Sequence, residues 1–276
     1  MSWLCWLNFL KTVIPSKRIL ATNKSKDSVS DFIDNDIFSR SKLLLGEEGF
    51  YRLQNARVII FGIGGVGSWC AESLIRTGLG HLTIVDGDLV CASNINRQLM
   101  ATAHTVGEVK TDAMCRHLLE INPSADIIAR HELYSAETAA NFNLSDYDVI
   151  IDCIDSLADK ALLILNATST KSKFLSSMGA ALKINPLNVE VAEFWKVKGC
   201  PLARALRDRF KKSGRKPHRK FQCVYSPELL KNCYPSTSEV GTSDKKEKRP
   251  NGSLMHITAI FGLTLAGLAI EHLTGK

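Results

Sequence analysis

The chain has 276 residues, 45% of them hydrophobic and 23% charged, with a formal net charge of +7. That balance is ordinary for a globular protein and excludes a disordered or fibrous chain; the length suits one large α/β domain with room for an elaboration. The basic excess favours an anionic partner such as nucleic acid.

At the N-terminus Trp3, Leu7, Leu10 and Ile14 fall on one helical face, which would suit a membrane surface. No basic n-region or small-residue cleavage site accompanies it. A variable tail, or a misplaced start codon, is the preferred reading. Residues 15–36 are polar and charged and read as a mobile linker. Residues 1–36 are therefore expected to be a disordered or variable extension.

From Phe38 to Leu53, the spacing of Leu44, Leu45, Phe50 and Leu53 predicts one or two short helices. Arg57–Phe61 (RVIIF) is a continuous apolar run, the mark of a buried parallel strand. Val66–Thr77 has helical spacing and is stopped by Gly78 and Gly80. His81–Val85 is a second strand, closed by Asp86. Residues 94–107 read as a loop with short helical pieces. Lys110–Ile121 is a helix ended by Asn122-Pro123. Further strands are expected at Asp126–Arg130, Tyr147–Ile154, Phe174–Met178 and Asn188–Trp195, with a helix at Lys160–Thr170.

Residues 196–220 carry eleven Lys or Arg and one acid, Asp208. They read as a phosphate-contacting surface or as a solvated basic helix and loop. Residues 234–252 are loop-like. Ile257–Ile270 is apolar but shorter than the ~18–20 residues of a membrane span, so a buried closing helix is expected. The order implies an α/β fold with a Rossmann-like, doubly wound, mostly parallel sheet, a C-terminal elaboration and a closing apolar helix.

The eight cysteines are Cys5, Cys70, Cys91, Cys115, Cys153, Cys200, Cys223 and Cys233. No two form a C-x-x-C pair, and several lie in apolar runs. Reduced, buried thiols in a cytosolic protein are the preferred reading over a disulfide or zinc framework. Cys223 and Cys233 could meet in space, but two thiols without a second pair are a weak metal signal.

Gly62-Ile-Gly64-Gly65-Val-Gly67 follows a strand and opens a helix, the context of a dinucleotide fingerprint. Gly62 permits the tight turn, Gly64 lets backbone amides approach phosphate, and Gly67 allows close helix–strand packing. The helix N-terminus favours the negative charge. Asp86 ends the next strand, where a carboxylate can accept hydrogen bonds from ribose hydroxyls. NAD-dependent dehydrogenases share these features, so this loop alone leaves the nucleotide open.

Further along come Asp86-Gly-Asp88, Ser93-Asn94-Ile-Asn96-Arg97-Gln98, Gly107-Glu-Val-Lys110 and Asp152-Cys-Ile-Asp155-Ser156. Each lies at or just beyond the carboxyl end of a strand, or in a loop before a helix, where ligands bind in an open parallel sheet. Arg97 and Lys110 can neutralise phosphate charge as pyrophosphate leaves. Asp155 can hold Mg²⁺, an ion usually bound by one or two carboxylates plus phosphate oxygens. Hydride transfer needs no such cluster.

These runs together resemble the ubiquitin-activating enzyme superfamily, whose bacterial members include the ThiF, MoeB and HesA proteins. The resemblance implies a dimer that forms an acyl-adenylate from ATP, across an adenylating domain at 37–276 with a nucleotide-binding half (57–180) and a substrate and dimer half (181–276). It places Asp86 at the ribose, Lys110 and Gln98 near the nucleotide, Mg²⁺ on Asp155, and Arg97 on the phosphates of the partner protomer's ATP. Asp88 and Asn94 join the nucleotide site with Gly62, Gly64, Gly65 and Gly67. Phe38-Ser39-Arg40 resembles the segment that sends a second arginine, here Arg40, across the dimer.

Members that activate carrier proteins commonly have two C-x-x-C zinc pairs or a downstream catalytic cysteine. This chain has no C-x-x-C, and no zinc is expected. The stretches 66–80, 121–123, CPLARALRDRFKK (200–212), CVYSPE (223–228) and 256–270 are similar to the tRNA threonylcarbamoyladenosine dehydratase branch. That likeness implies a tRNA substrate, adenylation of its threonylcarbamoyl carboxylate, and intramolecular ring closure with release of AMP. It implies an association with a cysteine desulfurase and a sulfur acceptor as a further partner; the cysteine usage favours a cytoplasmic enzyme. Peripheral membrane contact is the less favoured reading. Adenylation of a carrier protein's C-terminus is the alternative.

Overall fold

A computed structural model describes residues 37–233 and 251–276. The apolar face of Trp3–Ile14, the 15–36 linker and most of the 234–252 loop lie outside the described residues.

Seven strands form one sheet in the order β3-β2-β1-β4-β5-β7-β6. They are β1 (Arg57–Phe61), β2 (His81–Val85), β3 (Asp126–Arg130), β4 (Val149–Asp152), β5 (Lys173–Ser177), β6 (Glu190–Glu193) and β7 (Gln222–Tyr225). All neighbours are parallel except β6 and β7. The helices are α1 (Ser39–Asn55), α2 (Gly67–Thr77), α3 (Lys110–Ile121), α4 (Leu157–Ser169), α5 (Pro201–Ser213) and α6 (Met255–Thr274). The expected α/β fold is the observed one.

Alternation along β1 explains the layers. Val58 and Ile60 join a core with α1, α2, α3 and α6, while Ile59 and Phe61 join a second core with α4 and α5. Each face of the sheet is covered, as a parallel sheet requires.

Four expectations are corrected. The strand expected over Tyr147–Ile154 is confined to Val149–Asp152. At one end the Asp148 carboxylate accepts the Arg57 N–H at 2.8 Å. At the other the chain turns at Cys153 under the glycine loop. The strand expected over Asn188–Trp195 is only Glu190–Glu193, flanked by single 3₁₀ turns. Strand β7 was not expected at all. The closing helix is 20 residues, not 14, and by length and composition alone it could cross a membrane. Half of its most apolar window is buried inside the protein, against α2, α1 and the strands β5 and β7. Helix α1 is two short helices joined at Gly46, whose φ is 73°.

Candidate active site

The glycine loop joins β1 to α2. Gly62 has φ 89°, and a Cβ there would stand 2.8 Å from the Cys153 carbonyl oxygen. A Cβ on Gly67 would stand 1.9 Å from the Gly62 oxygen, so the first turn of α2 presses directly on the loop. Helix α6 holds that turn from the other side: a Cβ on its Gly262 would lie 2.4 Å from the Val66 oxygen. Among the described residues, no acceptor takes the amide N–H of Gly64, Gly65 or Val66. Free amides at a helix N-terminus form a ready anion site.

These amides open into a cavity of about 650 Å³ at the carboxyl edge of the sheet. Of the twelve residues singled out in the sequence, ten line it: Gly62, Gly64, Gly65, Asp86, Asp88, Asn94, Arg97, Gln98, Lys110 and Asp155. Gly67 lies behind the loop as packing. Arg40 is exposed on α1 and does not line the cavity.

Lys110 opens α3 and is buried, its ammonium 2.7 Å from Asp88 Oδ2 and 3.7 Å from Asp86 Oδ1. Asp86 is itself occupied, accepting the N–H of Ile63 at 2.7 Å and of Asp88 at 2.9 Å. Its carboxylate thereby fastens β2 to the glycine loop. Arg97 is half-buried beside Gly65 and donates to Ser93 O and Asn96 Oδ1, both at 2.9 Å. Asn94 Oδ1 accepts the Cys91 N–H at 3.0 Å. Gln98 is buried, and its Oε1 has no hydrogen-bond partner. An orphaned buried acceptor is costly unless a ligand satisfies it. Asp155 is exposed at the mouth.

This set fits a nucleoside triphosphate: free amides, two cations, and an unpaired amide oxygen. No group of three metal-ligating side chains occurs among the described residues. One open carboxylate, Asp155, suits a hydrated ion held mainly by phosphate oxygens.

Two features escaped the sequence reading. Glu132, Leu133 and Tyr134, after β3, form one wall of the cavity. Beneath the mouth, Asp152 and Lys160 form an ion pair with both side chains fully buried. Burial pushes the Asp152 carboxyl up, against the pull of Lys160 and Ser176. Spacing gave no signal for this pair, because lysine is ordinarily a surface residue.

The described cysteines are free thiols, but their burial is mixed: Cys91 and Cys233 are exposed. Burial raises the Cys70, Cys153 and Cys223 thiols, which keeps them protonated and unreactive. Of the eleven basic residues in 196–220, Arg207 is committed to Phe194 O and Val197 O, and Arg219 to Ser172 O. The other nine are exposed on α5 and its flanks.

A doubly wound parallel sheet with an anion-binding glycine loop and a cavity at its carboxyl edge defines a nucleotide-binding α/β protein. The ThiF family model matches residues 38–276, and the chain belongs to that family. It is 34% identical over 242 residues to the tRNA threonylcarbamoyladenosine dehydratase of Bacillus subtilis, covering 86% of this chain and 94% of that one. The Escherichia coli enzyme of the same name is 32% identical over 253 residues, covering 87% and 94%. The crystal structure of the E. coli dehydratase, TcdA, in complex with ATP superposes with a TM-score of 0.76 at 31% identity, covering 87% of this chain and 95% of that one.

Proposed function

We propose that this protein is an ATP-dependent dehydratase that adenylates the carboxylate of threonylcarbamoyladenosine in tRNA and lets the modified base cyclise. The observation that carries this reading is one cavity that joins the free loop amides to Lys110, Gln98 and Asp155, in a chain similar to the named dehydratases nearly end to end.

The amides of Gly64, Gly65 and Val66 receive phosphate oxygens, and Gln98 Oε1 accepts a donor from the bound nucleotide. Asp155 would hold Mg²⁺, which would draw negative charge off the phosphates. The substrate carboxylate attacks the α-phosphorus, and Lys110 and Arg97 offset the charge as pyrophosphate departs. An atom of the same modified nucleoside then attacks the activated carbonyl and AMP leaves. Ring closure within one molecule needs no enzyme nucleophile, and the protonated Cys153 thiol at the cavity suits that chemistry.

The working unit is a homodimer in which Arg97 serves the partner's nucleotide, with Arg40 reaching across the same interface. The nine exposed cations of 196–220 bind tRNA phosphates. The test is AMP formation by the purified protein with ATP and tRNA bearing threonylcarbamoyladenosine, with mass spectrometry of the digested nucleosides. Loss of the mass of one water from the modified adenosine is expected. AMP formation only with a carrier protein, or none at all, would overturn the reading.

A further inference from the structure

The Asp152–Lys160 pair is spent on the main chain between β4 and α4. Asp152 Oδ2 accepts from Lys160 Nζ at 2.8 Å and from Ser176 Oγ at 2.7 Å. Asp152 Oδ1 accepts the Ile154 N–H at 3.0 Å, and Lys160 Nζ donates to the Ile154 carbonyl at 2.9 Å. Both polar groups of Ile154 are thus clamped by the two members of one ion pair. The residue before it, Cys153, floors the glycine loop through its carbonyl. The residue after it is Asp155, whose carboxylate stands at the cavity mouth.

Burying two charges costs several kcal/mol per ion, and an apolar pair of the same volume is often equally stable. Stability alone therefore gives little reason for this pair. Its bonds hold one turn in one position.

We propose that Asp152 and Lys160 are positioning residues that fix the Cys153–Asp155 turn, setting the Asp155 carboxylate at the cavity mouth where it would hold Mg²⁺. The proposal rests on the reading of Asp155 as the magnesium ligand. It gives the fully buried pair the part of an outer shell, which orients a ligand without touching the ion.

The test is calorimetric titration of ATP into the full-length protein across a series of Mg²⁺ concentrations, with thermal melting alongside. Asp152→Asn combined with Lys160→Met keeps the shape and removes both charges. It is expected to raise the half-saturating Mg²⁺ concentration about tenfold while ATP affinity in EDTA changes less than about twofold, the low end of an outer-shell loss. An unchanged Mg²⁺ dependence overturns the proposal. If that variant does not fold, Asp152→Asn alone serves. It cannot accept from Lys160, Ser176 and Ile154 together, so it shifts the dependence in the same direction, and no shift again overturns the proposal. Ser176→Ala leaves every bond to Ile154 and is expected to lower the melting temperature without moving the Mg²⁺ dependence. An equal shift in Ser176→Ala would mean general softening and overturn the proposal. Asp155→Ala separates the two readings. If it fails to weaken the Mg²⁺ dependence, the metal assignment falls and the proposal with it. If it does weaken it while the clamp variants do not, the clamp alone is wrong.

Discussion

The indole N–H of Trp69 donates to the carbonyl oxygen of Arg97 at 3.1 Å. Helix α2, which carries the anion site, is thereby tied to the turn that carries the cavity's half-buried arginine. Trp69→Phe removes the bond and keeps most of the packing. Stability is expected to fall by about 1 kcal/mol, the net worth of one hydrogen bond, as read by urea denaturation. AMP formation should fall more than ATP affinity, because the freed turn displaces Arg97 but not the loop amides.

Arg97→Ala and Lys110→Ala are each expected to lower AMP formation by roughly 10²-fold or more, the scale for losing one charge-stabilising group. Mixing the two inactive proteins tests whether arginine acts across the proposed dimer. Up to about a quarter of wild-type activity returns if random heterodimers carry one intact site. A mixture as inactive as its components would mean that Arg97 acts on the nucleotide of its own chain.

Neutralising Lys211, Lys212, Arg215 and Lys216 to Gln together removes four exposed cations at the end of α5 and just beyond it. Binding of tRNA should weaken, and the slope of log K against log salt should shrink by up to ~0.9 for each phosphate that is no longer neutralised. ATP affinity should not move, because none of the four lines the cavity. Filter binding at several salt concentrations reads both quantities, and an unchanged slope would make this face a solvated helix.

Glu72 on α2 meets His117 Nε2 at 2.8 Å and Arg76 Nε at 2.5 Å. Burial pushes its carboxyl up, but hydrogen bonds and charge from His117 and Arg76 outweigh this and hold it below the ordinary range. A carboxyl lowered in the folded state stabilises above its unfolded pKa, and the contribution is lost as pH falls through the folded one. Glu72→Gln is expected to cost about 1.5–3 kcal/mol at neutral pH, the range for hydrogen bonds to a charged group. Its denaturation midpoint should then fall less steeply than wild type below about pH 4.

The legible parts of the fold were those whose signal is local. Strands β1 and β2 are buried, apolar runs, and Gly62 to Gly67 are spaced by the turn they make. Strand β7 was missed because Gln222–Tyr225 is only four residues, and its parallel neighbour β5 lies some 45 residues earlier. The site residues that could be read were those in loops of fixed order, such as Asp86, Arg97 and Lys110. The wall at Glu132–Tyr134 has no distinctive composition. The Asp152–Lys160 pair joins a strand end to the first turn of a helix, a separation that belongs to no single periodicity.

Gly262 on α6 has a direct bearing on how the chain acquires its site. The helix that seats against Val66 leaves a ribosome long after the loop it backs, the first ligand loop to be made. Until about residue 262 has emerged, the opening turn of α2 lacks its support and much of one face of the sheet stays uncovered. Nucleotide affinity should therefore arise late in synthesis, and a chain shortened before α6 would retain the glycine signature without a rigid place to hold phosphate.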